Sequence, residues 1–183
     1  MDLNQLTAIS PVDGRYRNQL QQLGLYFSEF ALIRYRVFVE VEYLLFLAEK
    51  KFFKVDSKTK QYLQKITDEF CLADADEIKQ TEKVTNHDVK AVEYFIKKAL
   101  NSCNAGHLQE WVHFGLTSQD INNTAIPLLW KDCMELEYLP AVINLQHAIG
   151  KLAIYWKDIP MLARTHGQPA SPTRLGKELM VFV

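Results

Sequence analysis

Between Ser28 and Lys51 no glycine or proline interrupts a run in which Phe30, Ile33, Val37, Val41, Leu44, Leu45 and Ala48 recur at helical spacing. Such a run satisfies its own backbone hydrogen bonds only by winding into one long helix with that stripe turned inward. Its Tyr, Phe and Val content would also suit a strand, but the length and the missing breaker decide for helix. The same spacing predicts helices over 58–70 (Leu63, Ile66 and Phe70 inward) and from Asn86 onward (Val89, Val92, Phe95, Ile96 and Ala99). A short helix is expected over 107–114, and another from Thr117, where Thr117-Ser-Gln-Asp120 fits a Ser/Thr-x-x-acid start. Pro127 is expected to kink or break that helix. A long helix is predicted over 136–157, with Leu139, Ile143, Ile149 and Leu152 on one side, and a last one opening at Ser171-Pro172. That last helix still carries apolar residues at Val183, which reads as a truncated stripe. With no alternating strand pattern, the fold class is all-α.

Composition narrows the function classes. A formal net charge of -1 gives no basic field for nucleic acid. No stretch of about 20 apolar residues could span a membrane. The start, Met-Asp-Leu-Asn-Gln, does not read as a signal peptide, so a cytoplasmic location is expected. Three widely spaced cysteines, Cys71, Cys103 and Cys133, suggest neither a disulfide framework nor a zinc site. No two histidines have the spacing of a helical metal site, so no metal is expected.

Four polar stretches break the helical pattern. Ser10-Pro-Val-Asp-Gly-Arg-Tyr16 is a turn-rich loop in which Arg15 offers a fork of donors for phosphate or carboxylate. Thr85-Asn-His-Asp-Val-Lys90 opens a helix whose free N–H groups favour an anion, with His87 and Lys90 beside them and Asp88 in the first turn. Thr117-Ser-Gln-Asp-Ile-Asn-Asn-Thr124 puts two hydroxyls at another helix start. Taken singly, each of these three reads more simply as a capped or surface loop. In Arg164-Thr-His-Gly-Gln-Pro169, His166 lies in a loop beside Gly167, and a histidine there can give a proton to a leaving group.

In this order, the four stretches resemble the adenylosuccinate lyases, a branch of the fumarase/aspartase superfamily, and the resemblance runs through essentially the whole chain. The Thr-Ser and Thr-His-Gly-Gln elements are superfamily features; Asp-Gly-Arg-Tyr and Asn-His-Asp point to this branch. The resemblance implies a helical domain over 1–112 followed over 113–183 by the beginning of a long-helix bundle. It implies elimination of fumarate from adenylosuccinate and from the succinylated carboxamide ribotide of purine synthesis, without cofactor or metal. By similarity His166 is the general acid, and Arg15 and Tyr16 grip the nucleotide phosphate. Asn86, His87 and Asp88 line the substrate site, with His87 aiding orientation or proton transfer. Thr117 and Ser118 hold the succinyl carboxylates, while Lys90 and His113 are second-rank candidates. The family's serine base lies past residue 183, and its sites form between subunits of a homotetramer. The chain by itself is therefore expected to be inactive. An argininosuccinate-type lyase would share the histidine loop but need no phosphate grip, and a helical assembly module would use these loops only as caps.

Overall fold

The computed structural model describes residues 5–183; the opening residues, including four of those read as lacking a signal peptide, lie outside the described part. The described chain is helical, with one small two-stranded sheet, and it forms two compact units that divide between Asp132 and Cys133. In the first unit lie α1 (Gly24–Phe27), α2 (Glu29–Glu49), α3 (Ser57–Asp68), α4 (Leu72–Thr85), α5 (Asp88–Ser102) and nearly all of α6 (Ser118–Cys133).

The predicted first helix is α2. Ser28 caps it, accepting the Ala31 N–H on its hydroxyl at 3.1 Å, and Ile33, Val37, Val41 and Leu44 are buried as expected. They meet Leu63 of α3, Ile78 of α4, and Val92, Ile96 and Leu100 of α5 in one core. A smaller cluster joins Tyr35 of α2 to Ala125 and Leu129 of α6, and there the Tyr35 hydroxyl donates to Asp132 Oδ2 at 2.6 Å. Burial and that carboxylate both push the Tyr35 hydroxyl pKa well above its ordinary value.

α4 has no counterpart among the predicted helices. Nine of its fourteen residues are polar or charged and only Ala75 and Ile78 are buried, so no continuous apolar stripe reveals it. The short element is a 3-10 helix over Gly106–Trp111. Pro127 does not break α6. Its ring lies on the exposed face, where water can take the carbonyl that a proline nitrogen cannot serve.

The second unit opens with a π-helical turn, Met134–Tyr138, which leads into α7 (Leu139–Tyr155). Leu139 donates to the carbonyl of Met134, five residues back, just before Pro140, which has no N–H to give. Of the residues that the spacing puts on one side, Leu139, Ile143 and Leu152 are exposed here; among the described residues of α7 only Ala153 is buried.

The helix expected at Ser171-Pro172 is instead a strand. β1 (Pro160–Thr165) and β2 (Gln168–Arg174) pair antiparallel, Thr165 opposite Gln168 and Leu162 opposite Pro172. Between Leu162 and Arg164 the register shifts, so that Ala170 and Ser171 stand across from Ala163 alone. The strands hold Pro160, Pro169 and Pro172, and a two-stranded sheet consists of edges, where proline is tolerated. The helix begins later, as α8 (Leu175–Leu179).

α8 packs on α7 through Gly176, whose N–H donates to the Trp156 carbonyl at 3.1 Å. A Cβ at Gly176 would sit 2.0 Å from the Ala153 carbonyl oxygen and 2.7 Å from Lys157 Cα, both backbone atoms. Gly176→Ala should therefore force α8 off α7 and destabilise this unit by about 1–3 kcal/mol or more, read as a lowered denaturant midpoint. An unchanged midpoint would mean that the contact gives way freely.

Candidate active site

Two helix N-termini converge in the first unit. α4 ends at Asn86, which adopts the left-handed conformation (φ 51°, ψ 35°) and donates its N–H to Glu82 O at 2.7 Å. The chain turns there, and His87 caps α5 directly: its Nδ1 accepts the Lys90 N–H at 3.1 Å. With Nδ1 so occupied, the hydrogen-bond pattern assigns the proton of the neutral ring to Nε2. Nε2 lies 3.4 Å from Ser118 Oγ, the first residue of α6. Nδ1 is also 3.8 Å from Asp88 Oδ1, but an ion pair there would need Nδ1 protonated, which the cap hydrogen bond opposes. The 87–118 approach therefore puts two helix starts around one imidazole edge.

Thr117 and Asp120 complete the start of α6. Asp120 Oδ2 accepts the Thr117 N–H at 2.7 Å and the Thr117 hydroxyl at 2.9 Å. Those two hydrogen bonds hold the Asp120 carboxyl below the usual carboxylate range. The Thr117 hydroxyl is thus committed to the cap, which leaves Ser118 as the hydroxyl turned to His87. Gln119 pairs with Asn123 at 2.7 Å along the helix.

Asp88 is held from below. Arg36, 6% exposed on α2, meets Asp88 Oδ2 at 2.6 Å through Nη2 and donates from Nε to Asn122 Oδ1 at 2.9 Å. One guanidinium therefore joins α2, α5 and α6. Desolvation pushes the Asp88 carboxyl up. The Val89 N–H and the Arg36 charge outweigh it, so the group stays below its ordinary value. Nothing in the sequence reading assigned Arg36. Its signal was a charge inside an otherwise apolar helical face.

Asn86, His87 and Asp88 line an open cavity of about 680 Å³, whose walls also include Arg36, Lys79, Lys83, Glu29 and Glu82. Lys79 is engaged by Glu82 at 2.7 Å and Glu29 at 3.1 Å, contacts that raise its pKa. Lys83 bonds to Gln80 at 3.2 Å. Lys90, a second-rank candidate, pairs with Glu93 at 2.7 Å. His113, the other, bonds to Glu40 at 2.5 Å.

Arg15 and Tyr16 are exposed, the guanidinium resting over the Tyr16 ring with 5.5 Å to its centroid. Among the described residues no hydrogen bond or ion pair joins them to the His87 cluster. Their loop is tight: the buried Gly14 donates to Ser10 O at 3.0 Å, and a Cβ there would meet Ala8 Cβ and Gln5 O at 2.9 Å. His166 (φ 51°) and Gly167 (φ 74°) are the two central residues of the β1–β2 turn, both left-handed as a tight hairpin turn requires. The imidazole is thus carried at an exposed hairpin tip in the second unit.

Adenylosuccinate lyase from Dictyostelium discoideum is 51% identical to the chain, over 100% of the chain and 41% of that protein. The enzymes of that name from Vibrio cholerae and Escherichia coli are 46% and 44% identical, over 98% of the chain and 40% of each protein. The chain thus spans about two fifths of the length of these curated relatives. In fold it is similar to a fumarate lyase from a Mesorhizobium species (TM-score 0.68, 21% identity, 90% of this chain and 36% of that one). A beta-carboxy-cis,cis-muconate cycloisomerase from Acinetobacter calcoaceticus is also similar (TM-score 0.62, 23% identity, 88% of this chain and 36% of that one). The family described as Lyase matches residues 14–183, nearly the whole described chain, and the chain belongs to that family.

Proposed function

We propose that the complete protein is an adenylosuccinate lyase, releasing fumarate from adenylosuccinate to leave AMP, and from the succinylated carboxamide ribotide earlier in purine synthesis. The observation that carries this reading is the meeting of the α5 and α6 starts at His87 and Ser118, in a chain similar along its length to proteins of that name. A substrate with a phosphate and two carboxylates needs several separate anion sites, and two helix N-termini with a basic loop can supply them.

The reaction is a β-elimination. A base removes a proton from the succinyl carbon next to a carboxylate, that electron pair forms the double bond of fumarate, and the carbon–nitrogen bond breaks. The departing nitrogen takes a proton from an acid, which we assign to His166. Thr117 and Ser118 start the helix that receives a succinyl carboxylate. Asp120 binds both the N–H and the hydroxyl of Thr117, so Thr117 contributes by shaping that helix start, while the Ser118 hydroxyl meets the carboxylate directly. His87 donates from Nε2 toward the substrate or Ser118, and Asn86 and Asp88 shape the cavity wall beside it. Arg15 and Tyr16 take the nucleotide phosphate. By the resemblance, the base comes from the part of the relatives that this chain does not span, and active sites form between subunits of a homotetramer. No cofactor or metal is required in this scheme. No helix among the described residues is long and apolar enough to cross a membrane, which suits the expected cytoplasmic location. Neither nucleic acid nor a membrane is a partner in this reading.

Offered adenylosuccinate and argininosuccinate separately, the complete protein should release fumarate from adenylosuccinate alone. Release from argininosuccinate alone would defeat the assignment and the roles of Arg15 and Tyr16 with it. His166→Ala should keep its fold by circular dichroism and lose about 10²–10⁴-fold in kcat; a variant with near-normal turnover would remove His166 as the acid. Arg15→Gln should lower kcat/KM about ten- to hundredfold, mainly through KM. An unchanged KM would take the phosphate away from this loop.

A further inference from the structure

One buried ionisable group has no part in the scheme above. Glu40 sits in the middle of α2, fully enclosed, among Val37, Val41 and Leu44. Its Oε1 lies 2.5 Å from Nδ1 of His113, and Oε2 has no hydrogen-bond partner among the described residues. A methionine would fill the same space without the cost of taking a carboxylate out of water, and such exchanges are often neutral or stabilising. Stability therefore gives little reason for an acid at this position.

The contact is made to a residue in an uncommon backbone state. His113 is left-handed (φ 62°), and Gly115 follows at φ 72°. The turn closes when the Leu116 N–H reaches the His113 carbonyl at 3.2 Å, and Thr117 and Ser118 come next. One helical turn beyond Glu40, the Tyr43 hydroxyl donates to the Phe114 carbonyl at 2.9 Å. α2 thus grips the two residues that begin the loop leading to α6. The His113 side chain is 13% exposed, so the ring is wedged with one edge against Glu40 and little else reaching solvent. The charged groups facing this pair are few: Asp120, near enough to feel His113, and Glu93, near Glu40 and itself paired with Lys90.

We propose that Glu40 is a positioning residue for His113: it takes the Nδ1 proton in a hydrogen bond, fixing the tautomer and tilt of the ring so that Nε2 is the nitrogen offered to substrate at the entrance to α6. A buried carboxylate on one imidazole nitrogen sets both the orientation and the basicity of the other, as carboxylates do behind metal-bound and catalytic histidines. The effect on rate rests on the lyase reading; the state of the ring does not.

The test uses the complete enzyme labelled with ¹⁵N at histidine, with the His113 ring signals assigned through His113→Gln. Solid-state spectra of the wild type should show His113 protonated at Nδ1. Glu40→Met should move that proton to Nε2 and lower kcat/KM about ten- to hundredfold, with the thermal midpoint unchanged or raised. A purely structural Glu40 would give the opposite pair of results. A wild-type ring protonated at Nε2 and bare at Nδ1, or a folded Glu40→Met enzyme with wild-type kcat/KM, overturns the proposal. Should Glu40→Met fail to fold, Glu40→Gln decides: its amide oxygen still accepts from Nδ1, so ring signals and rate should stay within about threefold of wild type. Loss of rate with an unchanged ring would sink the idea. If the wild type releases no fumarate from adenylosuccinate, the lyase reading fails, while the ring spectra still decide for or against Glu40.

Discussion

The site depends on a polar stripe set into an apolar helix. Arg36, Glu40 and Tyr43 follow one another at four- and three-residue steps along α2, so they share one face. Arg36 holds Asp88 and Asn122, Glu40 holds His113, and Tyr43 holds the Phe114 carbonyl. Buried polar groups are costly unless each finds a partner, and a misplaced α5 or α6 would strand them. Apolar clusters (Val37 with Val92 and Leu100 for α5, Tyr35 with Ala125 and Leu129 for α6) bring these helices to α2 but tolerate small slips. The stripe does not tolerate them, and it thereby fixes where the two helix starts lie.

Those starts are then available for chemistry. At α6 the Asp120 carboxylate absorbs the Thr117 N–H and hydroxyl, which leaves Ser118 facing the His87 ring. At α5 the His87 ring serves its own helix with one nitrogen and its neighbour with the other. A histidine cap does what an asparagine or serine cap would do, and the far side of its ring carries a second nitrogen that reaches the neighbouring helix start.

Helical periodicity made α2, α3 and α5 legible because each carries an apolar stripe: Ile33 to Leu44, Leu63 and Ile66 (with Phe70 just past the end of α3), Val89 to Ala99. It missed α4, which buries only Ala75 and Ile78 and is held mainly by its neighbours. It misread 168–174, where Ser171-Pro172 imitates a helix start while the His166-Gly167 turn closes a hairpin instead. The loop motifs singled out Asn86, His87, Asp88, Thr117 and Ser118, and the structure brings His87 within 3.4 Å of Ser118. Arg36 and Glu40 stayed hidden because a charge inside an apolar run looks like an exposed face until the run is seen to be enclosed on nearly every side. Thr117 was legible as a residue but not in its detail, since only the geometry shows its hydroxyl turned back to Asp120.

The hairpin has a consequence of its own. A two-stranded ribbon presents backbone donors and acceptors along both outer margins, the pattern that recruits further strands from other molecules. Pro160, Pro169 and Pro172 contribute no donor, and the register shift opposite Ala163 spoils the regular spacing that an incoming strand would have to match. The features that disguised this segment as something other than a strand also make it a poor seed for aggregation. An exposed histidine can thus be carried at the end of a ribbon without the ribbon becoming an adhesive edge.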